Sequence, residues 1–456
     1  MFAEHFIDER ASHISWSTRP LRFFYQRLIL AALIGSAWPA PARAQTHALT
    51  LDSVLTRVTM QHPLIAASAY RVEAARGVRT TARAFGNPML SWQEENGPFP
   101  GRAPSNAMSR EISTFVTLPL ASVYQRRPRA RQADELVNVA GAELRVTAQR
   151  VALDAARSFY RLALAQRALV ASSDVQLWLD SLVRYTRVRV REGAAAEVDL
   201  LRLQVERDAA ATEVALGHIE VARADAMLAA FVKIDSINAV SADSADIPLV
   251  FPALEQVIEI ARFLRADLAA AQSRIAASRA SRTFEQSAVI REASGMIGEK
   301  STAGARSFIA GIMIPLPLFD QNRGEIHRAT SELRAQQQEA IWMERQIVAE
   351  VAGGLEAART LSQQMRTLQA GYLRRAEDAR AITLGAYQEG AVPLMQVLDA
   401  SRALAVARQL FYRTLFAQRL SMLELHAVIG ADNIANMPTM GDALARATQS
   451  LRKERP

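Results

Sequence analysis

Downstream of residue 44 the histidines are His47, His62, His218, His327 and His426, and each stands alone in the sequence. Neither a His-Glu-x-x-His zinc pattern, a phosphate-binding loop nor a dinucleotide glycine fingerprint occurs. There is no cysteine, which excludes disulfides, thiolate metal sites, a thiol nucleophile and a lipid-modified N-terminal cysteine. Met313, Met343, Met365, Met395 and Met422 are scattered, and helix packing accounts for them as well as a copper path would. The reactive side chains are therefore not grouped for catalysis: no enzyme and no cofactor is expected. What recurs is a small acidic turn. Glu192-Gly193-Ala194 precedes Asp199, and Glu389-Gly390-Ala391 precedes Asp399. An Asp just after a glycine break suits the first turn of a helix, where the dipole favours negative charge. One basic cluster, Arg126, Arg127, Arg129 and Arg131, stands apart.

The elements carrying these turns are long. No proline lies between Pro128 and Pro248, and only Pro393 lies between Pro317 and Pro438. Leu144, Ala148, Val151, Ala155, Phe159 and Leu162 recur at helical spacing. A helix over residues 129–192 would span about 95 Å, which calls for coiled-coil-like packing. The two acidic turns interrupt these stretches, and each is followed by a resumed apolar pattern, as at Leu200 and Leu203 or Leu394 and Leu398.

The interruptions also mark a repeat. From Gly193 to Gly390 is 197 residues, and Leu118-Pro119-Leu120 returns at a similar offset as Leu316-Pro317-Leu318. Ile65-Ala66-Ala67 with Arg71 and Arg76 likewise matches Leu268-Ala269-Ala270 with Arg274 and Arg279. The chain reads as an internal duplication. The first copy covers 45–247, with strands near 85–120 and a helical hairpin near 125–231. The second covers 248–430, with strands near 284–319 and a hairpin near 325–430; a tail, 431–456, follows.

Each strand block holds two runs. Phe85 to Pro98 pairs with Ser109 to Leu120, and Phe284 to Glu299 with Ala305 to Phe319, around the loop Lys300 to Gly304. Alternation shows in Ile112, Thr114, Val116, Leu118 and in Phe308, Ala310, Ile312, Ile314. Runs of this length suit either tilted membrane strands or ordinary soluble hairpins. Phe85, Trp92, Phe99, Tyr124, Phe284 and Phe319 near the run ends would be interfacial residues under the first reading.

Composition bounds the rest. Of 456 residues, 50% are hydrophobic, 6% aromatic and 22% charged, with a net charge of +8. The length allows two or three domains. The arginines are interspersed with Asp and Glu, as on solvated helix faces. Arg19, Arg22 and Arg27 precede the apolar run Leu28 to Ile34, and Ala42-Arg43-Ala44 offers a cleavage site before Gln45, so residues 1–44 read as a secretory signal peptide. Export sets nucleic acid aside as a partner. No later run is long enough for a membrane helix.

Geometry then constrains assembly. Four strands cannot close a barrel, and an open sheet in lipid leaves its edge amides unsatisfied. If these are membrane strands, protomers must pool them; three chains would supply twelve. Long alanine-rich helical hairpins placed side by side would make a tube.

The sequence resembles the outer-membrane efflux proteins of the TolC type, and its N-terminal half is similar to the subgroup associated with heavy-metal efflux. Carrying the resemblance are Gly86-Asn87-Pro88 with Leu90, the run Ile314 to Asp320 with Asn322-Arg323-Gly324-Glu325-Ile326, and Tyr387 to Gly390 followed by Val397-Leu398-Asp399-Ala400. It covers essentially the whole chain after residue 44. It implies a homotrimer with a twelve-stranded outer-membrane β-barrel and a periplasmic α-barrel. A periplasmic membrane-fusion adaptor would join it to an inner-membrane pump of the RND or ABC type. It implies a passive duct for small substrates, metal cations or drugs. The alternatives are the duct of a type I protein secretion system and a soluble periplasmic coiled-coil scaffold.

By position, the resemblance places Glu192, Gly193, Ala194, Glu389, Gly390 and Ala391 at hairpin tips that contact the adaptor. It places Asp199, Tyr387, Gln396 and Asp399 at the channel aperture. A ring of Asp from three chains would select cations or hold the mouth shut. Many relatives carry an acid where this chain has Gln396. Where an Arg latches the tip in the family, this chain has Val392, which does not support an Asp–Arg lock.

Overall fold

In the computed structural model the described residues are 49–97, 109–233, 240–241 and 251–430. The signal-peptide reading of 1–44, the tail 431–456, His47 and Phe99 lie outside them. The elements run β1 (Leu49–Thr50), α1 (Leu51–Gln61), α2 (Pro63–Arg83), β2 (Met89–Glu95), β3 (Glu111–Pro119), α3 (Ala121–Tyr124), α4 (Arg126–Arg191), α5 (Glu197–Val232) and β4 (Val240–Ser241). They continue with α6 (Leu254–Leu264), α7 (Ala266–Ser287), β5 (Ser294–Thr302), β6 (Ala305–Met313), α8 (Arg323–Thr367), a π-helical turn (Leu368–Tyr372), α9 (Leu373–Gln388) and α10 (Leu394–Ile429).

Helix starts follow local chemistry. Thr50 and Ser53 form a capping box at α1. His62 accepts from the Leu64 N–H at 3.3 Å while Pro63 takes the first position of α2. The first-turn Pro128 costs α4 no hydrogen bond, and the helix runs 66 residues, about 100 Å at the standard rise. Its buried face is rich in alanine: Ala133, Ala142, Ala152, Ala155, Ala156 and Ala163. These small side chains let it pack against α1, α2, α5, α7 and α10.

Three apolar cores form. One joins Val54, Leu55 and Val58 to Phe159, Leu162, Leu228 and Leu423. A second joins Val257 and Ile260 to Ile347, Val351, Leu355 and Leu425. The third lies beside the acidic turns: Leu179, Leu182, Val183, Leu203, Tyr387, Leu394, Val397 and Leu398.

The four larger strands make one antiparallel sheet in the order β2-β3-β5-β6. Directly opposed residues share a face. One face carries Leu90, Trp92, Val116, Leu118, Ile297, Phe308 and Ile312, all exposed, with Glu94 and the Glu299–Arg306 pair toward its β5–β6 turn end. The other carries Gln93, Glu95, Glu111, Ser113, Lys300 and Ser307 at one end, where Lys300 pairs with Glu111. β3 and β5 meet closely. A Cβ on Gly298 would lie 2.1 Å from the Thr114 carbonyl oxygen and 2.8 Å from the Phe115 ring, so only glycine fits.

Four expectations are corrected. The strand read over Phe284–Glu299 begins only at Ser294, and Phe284 lies inside α7, well short of a strand end. The loop read over Lys300 to Gly304 shrinks to Ala303-Gly304. Both residues have positive φ, 50° and 88°, as a two-residue hairpin turn requires. β6 stops at Met313 rather than Phe319, because Pro315 and Pro317 have no N–H for a ladder. The second hairpin is also not one uninterrupted pair of helices: the π turn, with Gly371 at φ 116°, divides α8 from α9.

The basic cluster is not a uniform surface patch. Arg129 donates to the Ala82 and Ala84 carbonyls at 3.2 and 3.1 Å, closing the C-terminus of α2. Arg126 lies over the Phe85 ring at 4.5 Å.

Candidate functional site

The two acidic turns have the same hydrogen-bond geometry. After α4, Ala194 N–H donates to the Arg189 carbonyl at 2.7 Å and Gly193 N–H to Val190 at 3.0 Å. After α9, Ala391 N–H donates to Ala386 at 2.8 Å and Gly390 N–H to Tyr387 at 3.0 Å. Each is a Schellman end. Gly193 and Gly390 supply the left-handed residue, with φ of 71° and 77°. Glu192, Gly193, Ala194, Glu389, Gly390 and Ala391 are all exposed. Two hairpin tips thus present small residues and a carboxylate each.

The third core holds the tips beside one another. Tyr387 is buried in it. The Arg189 guanidinium lies 5.7 Å from the Tyr387 ring centre and 5.9 Å from that of Tyr185, and it donates to the Ala194 carbonyl at 3.0 Å. Arg189 therefore joins both tips within one chain, an anchor that sequence reading missed.

The acidic candidates occupy unequal surroundings. Asp199 sits in the first turn of α5, half-buried, and makes no ion pair among the described residues. Gln396 and Asp399 are exposed on the first turns of α10. Asp399 accepts from Arg402 at 3.4 Å, and Arg402 also pairs with Glu206 of α5. An Asp–Arg pair does exist near the tip, then, although Val392 gave no reason to expect one. Its i, i+3 spacing was legible in the sequence; Glu206, 196 residues away, was not. The bond to Glu206 raises the pKa of Arg402 further. Between α5 and α10 lies a groove of about 500 Å³ lined by Val198, Leu201, Arg202, Val205, Glu206, Met395, Leu398 and Arg402.

Higher up, Arg408 of α10 pairs with Asp174 of α4 at 3.5 Å and with Glu377 of α9 at 3.3 Å. Arg380 faces the Trp178 ring at 5.7 Å. Burial, then the neighbouring Arg408, lowers the pKa of Arg380, yet a guanidinium keeps its charge.

At the opposite end, the sheet joins the helices through Asn322. It is buried with φ 57°, and its amide donates to the Glu285 carbonyl and carboxylate at 2.8 and 3.0 Å while its oxygen accepts from Arg291. Asn322 thereby ties the start of α8 to the end of α7. No group of three or more His, Asp or Glu side chains among the described residues is placed to hold a metal ion, and no described helix is long and apolar enough to cross a membrane.

Residues 257–431 match the family model described as outer membrane efflux protein. The chain is 24% identical over 378 residues to the cation efflux system protein CusC of Escherichia coli K12, covering 79% of this chain and 82% of that one. It is 25% identical over 385 residues to the cobalt-zinc-cadmium resistance protein CzcC of Cupriavidus metallidurans, covering 81% and 87%. A crystal structure of CusC superposes with a TM-score of 0.69 at 17% identity, covering 83% of this chain and 92% of that one.

Proposed function

Since the chain is a TolC-type outer-membrane efflux protein, we propose that it is the outer-membrane channel of a tripartite efflux pump. It is a passive trimeric duct that carries small substrates, metal cations or drugs, across periplasm and outer membrane. One observation carries the reading. A four-stranded sheet with an exposed, mostly apolar face and two edges, β2 and β6, unpaired among the described residues stands on helices of up to 66 residues. Such a sheet is stable in lipid only if its edges close on other copies. Three copies close a twelve-stranded barrel, and their helices continue it as a tube.

The two repeats, 45–247 and 248–430, supply one strand pair and one helical hairpin each. Glu192, Gly193, Ala194, Glu389, Gly390 and Ala391 at the tips meet a periplasmic membrane-fusion adaptor, which links the duct to an inner-membrane pump. The tip glycines allow close backbone approach. Asp199, Gln396 and Asp399 face the aperture; Tyr387 acts behind it by holding Arg189. Passage needs no reaction chemistry, and the wall favours weak contacts over tight ones.

Membrane fractionation tests the reading directly. The expressed chain stays in the outer-membrane fraction through a carbonate wash, and its deletion raises cellular accumulation of the pump's substrate. Release by carbonate would end the barrel reading.

A further inference from the structure

The strand register segregates methionine to one face of the sheet. Met89 and Met296 share a row across β2-β3-β5, through Thr117. Met313 pairs with Ser294, which puts it diagonal to Met296 on the same face. All three lie toward the strand ends nearest the helices, on the face whose other end carries Glu95, Glu111 and Lys300. The opposite, apolar face uses Leu90, Val116, Leu118, Ile297 and Ile312 at the same level and no methionine.

Packing does not explain the choice. Met89 and Met313 are 63% and 62% exposed in the single chain, so they fill no core within it. Met296 lies over Gly311: a Cβ there would sit 3.4 Å from its Cγ and 3.7 Å from its sulfur, so the absent side chain leaves room for the thioether. The methionine face is also the more sheltered. Ile309, Gly311, Ser113 and Phe115 on it are buried or half-buried, while Val116, Ile297 and Phe308 on the other are exposed. On closure in the trimeric duct the mostly apolar face turns to lipid and this more sheltered face becomes the barrel lumen.

We propose that Met89, Met296 and Met313 form a thioether collar at the inner end of the barrel lumen that soft monovalent cations, Cu(I) or Ag(I), touch in transit. The inference rests on the trimeric duct reading and names a substrate class for it. Thioether sulfur is a soft, uncharged ligand that selects such ions over hard ones. Repeated in three chains, it provides several weak, exchangeable contacts, which passage requires. The Glu111 and Lys300 level beyond is paired and polar and holds no sulfur.

The chain has no cysteine, so any silver–sulfur bond must be to methionine. The probe is Ag(I) added to the purified full-length trimer in detergent, read by X-ray absorption for silver–sulfur scattering. The wild type shows it. The volume-conserving triple variant M89L/M296L/M313L loses it, while M422L, in the helical core, keeps it. In cells the triple variant loses silver tolerance but still exports an organic substrate of the same pump. No silver–sulfur scattering in the wild type, or undiminished scattering in the triple variant, overturns the collar. If the wild type binds silver as stated but exports nothing, the duct reading fails and the site stands.

Discussion

Arg402 of α10 donates to Glu206 of α5, so the two helices descending from the tips are tied to each other across the groove between them. The same guanidinium reaches Asp399 at 3.4 Å. Both pairs are substantially exposed, and exposed pairs of this kind contribute about 0–1 kcal/mol each. Arg402→Ala therefore leaves thermal stability nearly unchanged. It frees α5 from α10 near the aperture, so single-channel conductance in planar bilayers rises. High salt, which screens exposed charge, raises wild-type conductance in the same direction once corrected for bulk conductivity. Equal corrected conductance in both proteins would show that this pair does not restrain the aperture.

The tip glycines do two jobs that can be separated. Gly390→Ala puts a Cβ into open space but at φ 77°, at a cost of about 1–2 kcal/mol of local strain. Adaptor binding survives it. Gly390→Trp fills the approach itself and abolishes co-purification of the adaptor while the trimer remains intact. Adaptor recovered equally with both variants would move the contact elsewhere.

Gly298 is required for the sheet. Any side chain there meets the Thr114 carbonyl and the Phe115 ring, both fixed by pairing of β3 with β5. Gly298→Val breaks that pairing, and the chain accumulates outside the outer membrane without forming trimers. Gly304→Asn, at a turn position where asparagine tolerates positive φ, assembles normally. Heat-modified mobility on gels distinguishes the two.

The free edges predict contacts between copies. In this cysteine-free chain, cysteine pairs scanned along β2 (Met89–Glu95) and β6 (Ala305–Met313) give disulfide-linked dimers and trimers on oxidation, in one antiparallel register. Cysteines placed in β3, an interior strand, give none. Monomers throughout the edge scan would exclude closure by these strands.

His426 makes stability depend on pH. It is buried in α10 with Nε2 unpartnered, and desolvation lowers its pKa below the ordinary 6.5. The unfolded chain thus takes up this proton first as pH falls. The contribution is full above about pH 6.5 and is lost as pH drops toward the lowered native value. The melting temperature falls between pH 7.5 and 5, and His426→Leu flattens that fall. An identical slope in the variant would assign the dependence to other groups.

Much of this molecule could be read before folding because its regularities are local. Helices of great length follow from missing prolines and a sustained apolar period. The tips follow from Gly193 and Gly390, whose conformational freedom is a one-residue property. The strands were visible as alternation, but their limits were not. Whether Phe284 continues a helix or starts a strand, and whether Lys300 is loop or ladder, depends on which partner each meets. Gly298 and the positive φ of Ala303 decide that register only once β3 and β5 are side by side. The functional pairs were hidden for the same reason. Glu206 and Arg402, Arg189 and Tyr387, and Asn322 with Glu285 and Arg291 are separated along the chain by distances that no periodicity reports. Asp399 and Arg402, three residues apart on one helix, could be matched from the sequence by themselves. Pairing across hairpins is set by how the alanine faces pack, and packing is a property of the assembled helices.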